Sequence, residues 1–135
     1  MSQKPYSDLR ILTIHAHPDD ESSKGAATIA RYKAGGAATV LVCATGGEEG
    51  DILNPVMDRE EVTSDLKAWR RGELDEAARI IGYDEVIMLG YRDSGMDKSD
   101  ANAHPDSFWQ APVDQAVDRL VSILRAERPH VVVTY

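Results

Sequence analysis

The sequence predicts an α/β chain: a Rossmann-like three-layer αβα fold with a mostly parallel sheet. Three observations carry this. Short apolar runs alternate with longer helical stretches in β-α-β-α-β-α-β order, which implies parallel strands joined by right-handed crossovers. The run Thr39-Val40-Leu41-Val42-Cys43-Ala44 is apolar on both faces, as a central strand covered by helices on both sides must be. Loops rich in glycine and acids follow strand ends, where open α/β sheets gather their ligands.

The elements follow in order. Leu9 to His15 is the first strand. Glu21 to Lys33 is proline-free and alanine-rich and predicts the first helix, with Ala26, Ala27, Ile29, Ala30 and Tyr32 packing and Gly35-Gly36 ending it. Thr39 to Ala44 is the second strand, and Thr45 to Pro55 is a loop placed to overhang the first strand's end. Ser64-Asp65 opens a second helix that runs to about Ile81, with Leu66, Trp69, Leu74, Ala77, Ala78 and Ile81 at helical spacing and Gly82 as its cap. Glu85 to Gly90 is the third strand and Tyr91 to Met96 the loop after it. Asp97 to Gln110 reads as a polar excursion or partly mobile loop. Val113 to Arg125 is a third helix, with Val117, Leu120, Val121 and Leu124 on one face, and His130 to Tyr135 is the fourth strand. The sheet is expected to stop on that strand, which leaves an edge open to self-association.

Length and composition narrow the classes. At 135 residues and 42% hydrophobic content, residues 1–135 read as a single domain with a real core. A net charge of −8 argues against nucleic-acid binding. The single cysteine, Cys43, lies in a strand expected to be buried, so no intrachain disulfide forms and a reducing cytoplasm is the expected compartment. Met1 to Asp8 is polar, and no run approaches a membrane span, so no membrane partner is expected.

The densest chemistry lies at the first strand's end, in His15-Ala16-His17-Pro18-Asp19-Asp20-Glu21. Imidazole and carboxylate together suit a divalent ion such as zinc, and iron suits the same donors. Pro18 stiffens the turn and biases His17 toward extended backbone, so His17 and Asp20 can face one point while Asp19 stays free as a general base. The plainer reading is a helix cap with two turn histidines. Ala103-His104-Pro105-Asp106 repeats Ala-His-Pro-Asp without a preceding strand or a second acid, and reads as loop. No Gly-x-Gly-x-x-Gly follows the first strand, which weakens a dinucleotide reading.

The stretch His17-Pro18-Asp19-Asp20-Glu21 after an apolar strand resembles the first motif of the zinc-dependent de-N-acetylases of the LmbE and PIG-L superfamily. Glu21 to Thr28, Thr45 to Pro55, Arg70 with Glu73, Asp93-Ser94-Gly95 and Arg128 to Tyr135 extend the resemblance, which is strongest to the mycothiol S-conjugate amidases. The resemblance implies that His17 and Asp20 are zinc ligands and that Asp19 is the general base. It places Arg70 on the sugar–inositol part of the substrate, Asp93 on glucosamine hydroxyls and Lys24 near the thiol conjugate. Glu48 is expected either to contact inositol, to buttress the metal site, or to be a solvated loop acid. His15 is read as a metal-site supporter or, preferentially, a satisfied turn histidine, Trp69 as core, and Trp109 is left open.

Members of the family continue well past Tyr135, and their third ligand, a histidine, belongs to a later motif. The resemblance therefore implies an amino-terminal portion. Of the histidines present, His130 reads as structural and His104 as a loop residue, and Tyr135 is not given the family's oxyanion role. The expected activity is zinc-dependent cleavage of the amide of a thiol–sugar–inositol conjugate, a detoxification step. Two alternatives stand beside it: the N-acetylglucosaminyl-inositol deacetylase of mycothiol biosynthesis, and a catalytically silent sugar-binding or structural fragment.

Overall fold

A computed structural model of the chain describes residues 4–135, so Met1–Gln3 of the polar amino-terminal stretch lie outside the described residues. Four strands, β1 (Arg10–His15), β2 (Ala38–Thr45), β3 (Glu85–Tyr91) and β4 (Val131–Val133), form one all-parallel sheet in the order β3-β2-β1-β4. The helices are α1 (Asp20–Ser23), α2 (Ala26–Ala34), α3 (Glu60–Thr63), α4 (Leu66–Ile81) and α5 (Val113–Glu127). Among the described residues no helix is long and apolar enough to cross a membrane.

Side-chain alternation sorts the two sheet faces. Leu12, Val40, Val42, Leu89 and Tyr91 point one way and pack on Ala116, Leu120, Ile123 and Leu124 of α5. Leu41 and Cys43 point the other way, onto Leu74 and Ala78 of α4, and Ile11 packs on Ile29 of α2. This is the three-layer arrangement that the sequence predicts. Cys43 is fully buried, and that burial pushes its thiol up to about 12, so it stays protonated.

Several expectations are corrected. The first helix is not continuous: Gly25 turns into the left-handed region at φ 103° and splits it into α1 and α2. The split rotates α2, so Ala27 and Ala30 face solvent and Ile29 is its one buried residue. On α4 only Leu74 and Ala78 are buried, while Leu66, Ala77 and Ile81 are half-buried. Trp69 is not core; its Nε1 donates to Glu73 Oε1, 3.1 Å away. On α5 the inward face is Ala116, Leu120, Ile123 and Leu124, and Val117 lies outside it, half exposed.

β4 is shorter than expected and its valines remain partly exposed, because it pairs with β1 on one side only. The stretch from Asp97 to Gln110 is ordered rather than loose. The Asn102 Nδ2 amide donates to the carbonyls of Ser94 and Met96, and its own carbonyl accepts from Ser107 Oγ and Gln110 Nε2.

Leu41 is fully buried at the centre of the sheet, against α4. Leu41→Ala is expected to cost about 2–5 kcal/mol. Urea unfolding followed by circular dichroism checks this, as a lower midpoint at unchanged slope.

Candidate active site

The carboxyl ends of β1, β2 and β3 bring three loops together. The β1 loop turns sharply at Asp19, whose φ of 118° is strained for a residue with a side chain. Its backbone N–H donates to Glu21 Oε2 at 2.8 Å, and Glu21 is itself buried and takes the Ser22 hydroxyl at 2.6 Å. Across the turn, the Arg70 guanidinium of α4 donates to Asp19 Oδ2 at 2.8 Å, to Gly47 O at 2.6 Å and to Pro18 O. One half-buried cation thus ties the β1 and β2 loops to α4. Arg71, next door, pairs along the helix with Asp75 at 2.9 Å.

His17 lies between two acids. Its Nδ1 is 3.8 Å from Asp20 Oδ2, and its Nε2 is 3.4 Å from Asp93 Oδ1. The hydrogen bond to Asp93 raises its pKa, outweighing the opposing effect of burial. Asp20 also accepts the His17 backbone N–H at 3.0 Å, the Lys24 ammonium and the Tyr135 hydroxyl. Burial pushes the Asp20 carboxyl up, but the Lys24 and Tyr135 hydrogen bonds prevail and hold it at about 2. Burial likewise opposes ionisation of Asp93, and the contact with His17 and the Gly95 N–H hold that carboxyl at about 2. Glu48 Oε2 accepts the Asp93 N–H at 2.9 Å, and its Oε1 pairs with Lys67 at 3.0 Å. Glu48 therefore braces the Asp93 loop rather than lying solvated.

The chain thus brings together His17, Asp19, Asp20, Lys24, Glu48, Arg70 and Asp93 around these loops. A cavity of about 540 Å³ opens beside Asp19 and Arg70, walled by Ser22, Leu53, Met57 and Trp69. His104 and His130 take no part: His104 Nδ1 accepts the Asp106 N–H and His130 Nδ1 accepts the Arg10 N–H, each at 3.1 Å.

Two donor atoms fit a metal. Two ligands each 2.0–2.2 Å from a tetrahedral ion are about 3.4 Å apart, and His17 Nδ1 and Asp20 Oδ2 are within a few tenths of an ångström of that at 3.8 Å. Among the described residues no group of three His, Cys, Asp or Glu side chains forms a complete metal cluster.

His15 departs from its expected role, and Tyr135 makes contacts that no local pattern indicates. Tyr135 reaches back from beyond β4 to Asp20, lies under the Lys24 ammonium at 4.8 Å and stacks on His15 at 5.8 Å. His15 is not a satisfied turn histidine: it is buried and neither ring nitrogen has a hydrogen-bond partner, and that burial lowers its pKa. Only the His15-x-His17 spacing hinted at the first position of the pair, and no local pattern ties Tyr135 to the motif.

The family model described as PIG-L, GlcNAc-PI de-N-acetylase, matches residues 12–135. The chain belongs to the PIG-L family. It is 46% identical over 135 residues to the 1D-myo-inositol 2-acetamido-2-deoxy-alpha-D-glucopyranoside deacetylase of Thermobispora bispora, covering 96% of this chain and 45% of that one. The enzyme of the same name from Streptomyces griseus is 47% identical over 132 residues, covering 93% of this chain and 41% of that one. The chain therefore spans less than half the length of these relatives. Among solved structures, the N,N'-diacetylchitobiose deacetylase of Pyrococcus horikoshii superposes with a TM-score of 0.68 at 29% identity, over 96% of this chain and 42% of that one. A 4-carboxy-2-hydroxymuconate hydratase from a pseudomonad reaches a TM-score of 0.70 at 23% identity, over 92% of this chain and 45% of that one. That likeness is one of fold alone.

Two outcomes follow. Arg70→Ala strips donors from the buried Pro18 and Gly47 carbonyls and is expected to cost about 1–3 kcal/mol in a denaturant titration. Asp20 and Asp93 titrate at about 2 in the folded chain against an ordinary 3.8. The stability they contribute, on the order of 2 kcal/mol each, is present above the ordinary value and is lost as pH falls from about 4 toward 2. Urea midpoints across that range are expected to fall steeply for the native chain and less steeply for Asp93→Ala.

Proposed function

We propose that this chain supplies the metal-donor and general-base half of a deacetylase acting on an N-acetylglucosaminyl-inositol. The observation that carries the reading is the facing pair His17 Nδ1 and Asp20 Oδ2 with Asp19 on the adjoining turn. The names of the relatives support the deacetylase over the S-conjugate amidase that the motif resemblance suggested. The shared part of the two readings, hydrolysis of an amide on an amino sugar, is what the site chemistry supports.

His17 and Asp20 would hold a divalent ion, with zinc the reading the family supports. When bound, such an ion polarises an amide carbonyl and acidifies a water. Asp19 carries the proton chemistry. Its Oδ2 is held by Arg70, which aims the carboxylate and leaves the other oxygen to accept a proton from the attacking water and return one to the leaving amine. Lys24 and Tyr135 hold the two oxygens of Asp20. The cavity beside Asp19 and Arg70 is the expected seat of the sugar. Its small-molecule size suits a sugar–inositol. The partly exposed β4 edge supports self-association, and the buried free thiol suits a cytoplasmic setting.

Elemental analysis after zinc loading and dialysis tests the reading. The chain is expected to retain zinc in proportion to protein, and His17→Ala and Asp20→Ala to lose it; retention unchanged in both variants overturns the assignment. Joined to the carboxyl-terminal half of the Streptomyces griseus relative, the chain is expected to release acetate from N-acetylglucosaminyl-inositol in preference to cleaving a mycothiol S-conjugate. Asp19→Ala in that chimera is expected to lower kcat by about 10²–10⁴-fold with zinc retained. Preference for the S-conjugate restores the amidase.

A further inference from the structure

We propose that Asp93 is a positioning residue for His17, setting which imidazole nitrogen carries the proton and which faces the metal position. The inference rests on reading His17 as a metal donor.

The geometry comes from three loops. Asp93 follows β3 and is buried, yet it is the group that faces His17 Nε2, at 3.4 Å from its Oδ1. The same Oδ1 accepts the Gly95 N–H at 3.0 Å, and Oδ2 accepts the Glu49 N–H at 3.4 Å. Its own backbone N–H is anchored on Glu48, which Lys67 holds in turn. Two backbone donors therefore hold the carboxylate with Oδ1 toward the ring.

An acceptor-only group facing Nε2 selects the tautomer with the proton on Nε2. That leaves the Nδ1 lone pair on the side facing Asp20 Oδ2, 3.8 Å away, where two donors are needed. Histidines that bind metals ordinarily give their other N–H to a carboxylate or carbonyl, and loss of that partner weakens metal binding. Both Asp93 oxygens already accept hydrogen bonds from the chain. The chain donors thus orient the Asp93 carboxylate with Oδ1 toward the imidazole.

Long-range ¹H–¹⁵N spectra of the ¹⁵N-histidine-labelled chain read the tautomer directly, without metal. The native chain is expected to carry the His17 proton on Nε2, and Asp93→Ala to lose that preference. Zinc affinity by chelator competition is expected to fall about 10–100-fold in Asp93→Ala, with Asp93→Asn in between because its amide keeps one acceptor. Circular dichroism and Tm of the metal-free variants separate these effects from unfolding; a purely structural role lowers Tm and leaves the tautomer unchanged in Asp93→Asn. A native His17 protonated on Nδ1 overturns the proposal. So does loss of zinc in His17→Ala alongside native affinity and tautomer in Asp93→Ala. Zinc retained in His17→Ala instead refutes the metal reading itself and leaves the tautomer result to decide the role of Asp93.

Discussion

The Arg70 guanidinium is the contact on which the rest of the site depends. A half-buried arginine needs its inward donors satisfied, and here they go to Gly47 O, Pro18 O and Asp19 Oδ2. Each acceptor lies on the loop after β1 or β2, and Lys67 adds a second tie from α4 to the β2 loop through Glu48. The space left is tight: a Cβ on Gly47, itself at φ 68°, would come within 2.1 Å of Arg70 Nη1. Glycine at that position and arginine on α4 are therefore two halves of one constraint.

That constraint makes the strain at Asp19 tolerable. A non-glycine residue at φ 118° costs on the order of 1–3 kcal/mol, and it persists because the surroundings over-determine it. Glu21 takes the Asp19 N–H, Arg70 takes its carboxylate, and the start of α1 returns Ser22 N–H and Ser23 N–H to its carbonyl. The turn places adjacent carboxylates in different surroundings. Asp19 is largely open to the cavity side, whereas Asp20 is buried under Lys24 and Tyr135. The polar groups around Asp20 and Asp93 outweigh the penalty of burial and keep both ionised, so the site carries fixed negative charge where a cation would be received.

The layers of the fold were legible because strand and helix periods are local properties. Val40, Leu41, Val42 and Cys43 announce a strand buried on both sides without reference to any distant residue. Helix phase was less legible. Ala27 and Ala30 were assigned to packing because the pattern was continued through Gly25, where the backbone turns. Helical spacing puts Trp69 in the core, but its indole N–H finds Glu73 and its ring borders the cavity.

By itself the sequence determined the α/β alternation, the parallel direction of the strands, the acidic charge, the concentration of ligand-type residues after β1 and, through its motifs, membership of the PIG-L family. Those features depend on residues close together in the chain or on short patterns. Only the tertiary structure decided that Asp93 faces His17, that Arg70 braces three carbonyl and carboxylate groups, that Tyr135 closes on Asp20, and that His15 is buried without a partner. Each of those relations joins side chains from different strands, loops or helices, or depends on what packs around them. Parallel strands need long crossovers, so their carboxyl ends meet in space although dozens of residues separate them in the chain, and no local pattern records which side chain will meet which.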